Sequence, residues 1–297
     1  MRFQIVFLIA SAHIRGPTMK ITTLYKTAVL FCFASSYAGM SYAQTYKTFD
    51  EPSEEGKGNW EVTVGVGVLH ETISPGVDQY ESQVLPYLDI AYKDRLFLNV
   101  RHGLGAYLIK QDDKKTGIFE DLAVGVALDF DEGRDASDFD KRPALKGLNK
   151  IDSTIEGKIF AEAEISIVEL DFEIAQDLSG DGHDGWHAEL SANLDFPVSD
   201  RFMLMVGPSI RYASEEYQQA YYGLDSSEAI ATGFSEYKAG AGLESASFGI
   251  QGRYALSKNW SVLGLAQYES LLGDAKDSPF VEKDNQVVTG LAVAYTF

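Results

Sequence analysis

From Trp60 to Phe297 the chain repeats one pattern that narrows its fold sharply: segments of about ten residues in which every second side chain is apolar. Trp60, Val62, Val64, Val66 and Val68 alternate with Glu61, Thr63, Gly65 and Gly67. Leu122, Val124, Val126, Leu128 and Phe130 alternate with Ala123, Gly125, Ala127 and Asp129. Val168 to Ala175, Trp186 to Phe196 and Phe248 to Leu256 continue the pattern. A period of two describes strands with one greasy and one wet face. No segment after the N-terminal leader is long and apolar enough for a transmembrane helix. Strands cross a bilayer only when closed into a barrel, because an open edge leaves backbone groups unsatisfied in lipid. A soluble β-sandwich alternates too. Two features favour the barrel. The polar face mixes small and charged residues, and aromatics sit at strand ends: Trp60, Tyr92, Trp186, Phe196, Phe202, Tyr212, Trp260, Tyr295 and Phe297. Such positions suit interfacial girdles.

The last segment, Gln286–Phe297, carries Thr289, Leu291, Val293, Tyr295 and Phe297 on one face and small residues on the other. A terminal aromatic with a second aromatic two residues earlier resembles the signal read by the outer-membrane barrel-assembly machinery, with Tyr295 and Phe297 as its residues. The expected fold is all-β: an antiparallel transmembrane barrel of about twelve strands, or ten, over residues 60–297. The strands are expected near 60–70, 82–92, 95–101, 104–110, 118–131, 153–165, 168–178, 184–196, 201–213, 237–256, 259–270 and 286–297. Short turns at Lys93-Asp94, Pro197–Asp200 and Ser257–Asn259 belong to the periplasmic side, and the longer loops 71–81, 132–152, 178–184, 214–236 and 271–285 to the outside.

Residues 1–43 read as a secretory signal peptide. They hold no acidic residue, a basic flank ending at Lys26, the short apolar run Thr27–Ala38 and the small-x-small site Ser41-Tyr42-Ala43. Cleavage is expected between Ala43 and Gln44. Either Met1 or Met19 serves as the start, since Met19–Ala43 is already complete as a leader. Residues 44–59, with Pro52, Gly56 and Gly58, read as a flexible periplasmic tail. The only cysteine, Cys32, lies in the leader, so no disulfide or thiolate chemistry is expected afterwards.

The chain carries 25 basic against 44 acidic residues and a net charge of −19. Four of the bases lie in the leader, so the mature chain is more acidic still. Such a surface repels nucleic acid, which excludes that class of partner. Much of the acid falls on the inward face: Asp129, Glu156, Glu162, Glu164, Glu169, Asp171, Glu173, Glu189 and Asp195, with Lys158, Arg211, Lys238 and Arg253 expected to pair with some of it. Two readings stay open, a filled and ion-paired interior or a narrow cation-preferring pore. Twelve strands lie between the barrels that side chains fill and those that enclose a channel.

His183 and His187 lie in Asp181-Gly182-His183-Asp184-Gly185-Trp186-His187. A general base oriented by a carboxylate is one reading. No serine here has a nucleophile-elbow context, and a Gly/Asp-rich tight turn is the other reading. A metal set of Asp177, Asp181, His183 and Asp184 lacks the spacing of the standard calcium loop. Loose divalent ions on acidic loops are expected, but no catalytic residue, cofactor or metal ligand is assigned. Glu215–Tyr222 is expected to form a short helix at the barrel mouth.

Several loop motifs resemble, in order, those of the MltA-interacting protein family, also called MipA/OmpV. Ser74-Pro75-Gly76-Val77-Asp78-Gln79-Tyr80 runs into Leu85-Pro86-Tyr87 and Tyr92-Lys93-Asp94-Arg95-Leu96-Phe97. Asp131-Glu132-Gly133-Arg134-Asp135 leads to Leu145–Asp152, and Gly182-His183-Asp184-Gly185 follows. Ala220–Leu224, Tyr237–Leu243 and Leu271–Pro279 complete the series, which covers roughly Asn59–Phe297. The resemblance implies an outer-membrane barrel of a Gram-negative bacterium, set in lipid. It also implies a non-enzymatic scaffold joining a lytic transglycosylase to a murein (peptidoglycan) synthase. Other relatives are linked with osmotic adaptation, adhesion and antibiotic susceptibility, so a surface or stress-response role is a further alternative.

Overall fold

The computed structural model describes residues 59–111, 121–135, 139 and 141–297. The expected leader, its Ala43–Gln44 cleavage site and the tail up to residue 58 lie outside the described residues. Twelve strands form one closed antiparallel barrel in chain order. They are β1 (Trp60–Thr72), β2 (Tyr80–Tyr92), β3 (Leu96–Asn99), β4 (Gly103–Gln111), β5 (Asp121–Asp131), β6 (Thr154–Ile165), β7 (Val168–Asp177), β8 (Trp186–Ser199), β9 (Phe202–Ala213), β10 (Gly242–Ala255), β11 (Trp260–Leu271) and β12 (Asn285–Thr296). β1 closes on β12, with Val66 opposite Pro86 on one side and Val293 on the other. Closure gives both terminal strands a partner, as lipid requires.

The alternation sets which face meets lipid. Val66, Val84, Leu104, Ile159, Phe172, Leu190, Ile210, Ile250, Tyr268 and Leu291 are exposed on the outside. At the end where β1 begins and β12 finishes, Trp60 packs on Tyr92 and Trp260 on Tyr295, with ring centroids 4.5 and 5.1 Å apart. Trp186 stacks on Tyr212 toward the other end. These are the two aromatic girdles expected of an outer-membrane wall. Lys93 and Asp94 both take positive φ, 51° and 50°, as the two central residues of a tight hairpin turn require.

Three expectations shift. β8 continues through Ser199, so Pro197 lies in the strand rather than the turn. β10 starts at Gly242 instead of 237, and Tyr237 instead makes an isolated bridge to Leu224 in the loop. The third concerns β3, which has only four residues, Leu96–Asn99, and reaches just Asp89–Tyr92 of β2 on one side and Gly103–Ala106 of β4 on the other. A membrane-crossing strand needs about nine to eleven residues. Above β3, Tyr80–Leu88 therefore have, among the described residues, a strand partner in β1 alone. The Lys93 N–H bonds to Asn59 O and the Ile73 N–H to Gln79 O. Carried through the antiparallel ladder, this parity turns the backbone groups of the even-numbered residues of β2 away from β1. Pro86 is among them, so the N–H that proline lacks is one that would face the unpaired side. Proline is tolerated at such edges.

The long loops gather at the end opposite the start of β1 and pack over the lumen. Helix α1 (Glu215–Tyr222) forms where it was expected, capped by Ser214, whose Oγ accepts from the Tyr217 N–H. Helix α2 (Ser226–Thr232) follows with a capping box of Asp225 and Glu228, and α3 (Gly273–Lys276) lies beyond β11. Tyr217, Tyr221 and Tyr222 bury against Ile151, Ala213, Leu271 and Ala275. A second cluster joins Val77, Phe139, Leu145, Leu148, Leu224 and Phe280. The α1 tyrosines thus form the underside of a lid, and their rings face the barrel's interior polar groups.

Candidate functional site

The interior holds two charged clusters. One is set on the floor of the short β3–β4 hairpin. Asn99 Oδ1 accepts from the backbone N–H groups of Arg101 and His102, at 3.1 and 2.8 Å, which turns both side chains inward. The Arg101 guanidinium reaches Glu162 at 3.0 Å, Glu169 at 3.4 Å, and Asp171. His102 lies 3.1 Å from Glu162 and stacks on Phe160, centroids 4.0 Å apart. Lys158 bridges Asp129 at 2.6 Å and Glu173 at 3.5 Å. Phe97 and Tyr107 both pack edge-on against Phe160. The Phe160 ring lies over Gly125, where an added Cβ would come within 2.3 Å of it. The small residues of the alternating pattern thus make room for the aromatic filling.

The second cluster lies beneath the lid. Glu156 on β6 accepts at Oε1 from Nε2 of both His183 and His187, each at 3.1 Å. Asp131, the last residue of β5, accepts at Oδ1 from the Tyr221 hydroxyl at 2.5 Å and from Gly133 N–H at 2.7 Å. Arg211 forks onto Glu189 through Nε at 3.2 Å and a terminal nitrogen at 3.0 Å. The Tyr222 hydroxyl donates to Glu244 at 2.8 Å. The β7–β8 turn is held against α1 so tightly that a Cβ on Gly185 would lie 2.3 Å from Tyr217 N. Only glycine fits there.

Of the inward acids expected from sequence, Glu156, Glu169, Asp171 and Glu189 are buried, and Lys158 and Arg211 are buried beside them. Arg253 is half-buried on β10. Lys238 is a correction: it precedes β10, is exposed, and pairs with Glu215 on the outer surface at 2.8 Å. The late start of the strand puts it outside the wall. Asp177, Asp181, His183 and Asp184 do not form a common site. Asp181 and Asp184 are exposed, and Asp177 accepts from Thr154, Ser179, Gly180 and Asp184. Tyr295 faces Val64 and Trp260 across its two ladders, and Phe297 is exposed at the rim, its N–H bonded to Val62 O. Arg101, His102, Asp131 and Glu244 were missed as interior residues. Arg101 and His102 sit at the end of an expected strand, where alternation no longer reports direction. Asp131 sits at the start of a loop motif for the same reason.

A family model described as MltA-interacting protein MipA matches residues 64–297. The chain is 34% identical over 88 residues to the outer membrane protein Omp26La of Vibrio anguillarum, covering 30% of this chain and 34% of that one. It is 26% identical over 164 residues to the outer membrane protein OmpV of Vibrio cholerae, covering 54% of this chain and 62% of that one. The chain thus spans less than two thirds of either relative's length. Among solved structures, an outer membrane channel from Pseudomonas putida F1 is similar at 11% identity and a TM-score of 0.40, covering 84% of this chain and 99% of that one. OmpT of Vibrio cholerae is similar at 11% identity and a TM-score of 0.34, covering 81% and 99%.

Proposed function

We propose, for a chain that belongs to the MltA-interacting protein MipA family and is an outer-membrane barrel like its relatives, a non-enzymatic role as a scaffold. In this reading the barrel positions murein-remodelling enzymes, a lytic transglycosylase and a murein synthase, on the periplasmic side. The observation that carries the reading is the interior. Arg101 ties the β3–β4 turn to acids on β6 and β7, Lys158 on β6 links acids on the neighbouring β5 and β7, and the α1 tyrosines pack over the outer end. Side chains that cross-link the wall stiffen a platform and oppose free passage of solutes. Tyr295 and Phe297, at the end of β12, serve as the signal to the barrel-assembly machinery. Crosslinking in native membranes followed by pull-down of the barrel tests the scaffold. Near-stoichiometric recovery of a transglycosylase and a murein synthase is expected. Their absence from a folded, abundant barrel overturns it.

A second reading, a narrow small-solute or cation channel, draws on the excess of acid in the interior. Among the described buried residues nine acids face four lysines and arginines. Cation-selective single-channel conductance, lost when the lumen is plugged, would replace the scaffold reading with this one.

A further inference from the structure

The excess of acid is not spread evenly. Asp131, Glu156 and His183 each bring a ligand-type atom within 4.8 Å of the others. Their exposures are 1%, 0% and 2%, so water does not screen them. One oxygen of each carboxylate is fully engaged: Glu156 Oε1 by the two imidazoles, Asp131 Oδ1 by Tyr221 and Gly133. The second oxygens, Glu156 Oε2 and Asp131 Oδ2, are buried with no hydrogen-bond partner. Two carboxylates this close and this dry repel one another and need a positive charge between them. Among the described residues, the buried lysines and arginines are engaged with other groups. Arg101 and Lys158 hold the other cluster, and Arg211 is forked onto Glu189. Arg134 donates to the carbonyls of Tyr221, Asn149 and Ala220.

We propose that Asp131 and Glu156 form a binding site for one divalent cation beneath the lid, with the unpartnered oxygens as its ligands. The histidines decide which cation. Gly185 N–H donates to His183 Nδ1 at 3.1 Å. That leaves the ring proton on Nε2, directed at Glu156 Oε1. His187 presents Nε2 to the same oxygen and donates likewise. Both rings therefore use Nε2 to orient the carboxylate; His183 Nδ1 is taken by Gly185, and His187, whose Nδ1 is unpartnered, is not among the residues that converge on the site. A site led by carboxylate oxygen favours calcium or manganese over zinc. The bound ion would tie the end of β5 to the start of β6, and Tyr221 would link that tie to α1 through Asp131. Coordination here adds to whatever the periplasmic face binds and does not depend on the scaffold reading.

The test uses the full barrel, unfolded in urea with a chelator, refolded in detergent and titrated with Mn2+. Loss of the free Mn2+ signal in electron paramagnetic resonance counts bound ions. One tight ion per barrel, displaced by Ca2+, is expected. Asp131→Asn and Glu156→Gln are expected to weaken it by roughly tenfold or more, while Asp277→Asn on the exposed surface leaves it unchanged. A tight site indifferent to both variants, or none in the wild type, overturns the proposal. Zn2+ binding without Mn2+ binding, lost in His183→Gln, overturns the assignment to oxygen. Should the variants not refold, Tb3+ in the wild type gives a second readout. Tyrosine-sensitised emission that Ca2+ quenches, with a lifetime little changed in heavy water, is expected of an ion shielded beneath Tyr221. Only solvent-exposed Tb3+ would count against it.

Discussion

The two interior clusters are both largely buried, the one around Glu156 more deeply, and they differ in who supplies the positive charge. Around Arg101 one guanidinium meets three carboxylates, and Lys158 meets two more. Around Glu156 and Asp131 the side-chain donors are two imidazoles and a phenol, with Arg211 and Tyr222 on the neighbouring Glu189 and Glu244. More atoms lack a hydrogen-bond partner there (Asp131 Oδ2, Glu156 Oε2, His187 Nδ1, Gln218 Oε1 and Glu244 Oε2) than around Arg101 (His102 Nδ1 and Asp171 Oδ1). The first cluster is cross-linked by the chain itself and spans β4 to β7 like a strut. The second is a set of acceptors without enough donors, roofed by a lid that rests on it through Tyr221 and Tyr222. Burial alone does not make a charged side chain stabilising. What matters is whether its partners satisfy every atom.

Substitutions in each should separate the two. Arg101→Met is expected to have the largest effect, a loss of about 3–5 kcal/mol, because Glu162, Glu169 and Asp171 stay buried without their cation. Urea unfolding of the barrel in detergent would measure it, and a loss below about 1 kcal/mol would erase the distinction between the clusters. Tyr221→Phe removes the hydroxyl from Asp131 Oδ1 and should cost about 1–3 kcal/mol. Hydrogen exchange should place the loss in α1 while β6 and β7 keep their protection. Asp131→Asn in metal-stripped protein is expected to change stability by less than about 1 kcal/mol, or to raise it, since it removes one of two like charges. A loss matching that of Arg101→Met would mean that Asp131 is already compensated within the chain.

The smallest expected effect is on the outer surface of the lid. Asp225 accepts from Ser227 Oγ, from the Glu228 N–H and from Asn149, and these bonds, the serine's foremost, hold its carboxyl below the ordinary 3.8. A depressed carboxyl contributes stability above its unfolded value and loses it as the pH falls through the folded one. The α2 capping box should therefore persist at neutral pH and loosen only in acid, below the ordinary aspartate range. Amide exchange at Glu228, followed from neutral pH downward, reads this directly. Loosening already near neutrality would show that the cap contributes little to the lid.

Most of the wall was legible because alternation is a local property. β1, β5, β7 and β12 lie within a few residues of their expected bounds, and the girdle aromatics meet in pairs across adjacent strands. The α1 helix was legible for a different reason: Ser214 followed by Glu215 and Glu216 is an N-terminal signature that needs no tertiary context. Lys238 was misplaced because a charge next to an expected strand end has no periodicity to say which side of the wall it takes. The local sequence around His183 and His187 fits a tight turn with polar tips as well as a general base, yet both are among the most deeply buried side chains. Gly185 forces the turn against α1, and that contact joins segments far apart in the chain.

The sequence by itself determined the fold class, the face of each strand that meets lipid and the positions of most turns, since these follow from spacing along one segment. The tertiary structure decided the rest. Closure brought β1 to β12, a four-residue β3 left the upper part of β2 with one strand partner, and Pro86 found the side where its missing N–H is harmless. It also brought Asp131, Glu156 and His183 together from three elements. Charge balance inside a barrel depends on which strands face one another across the lumen, and no pattern read along a single strand carries that information.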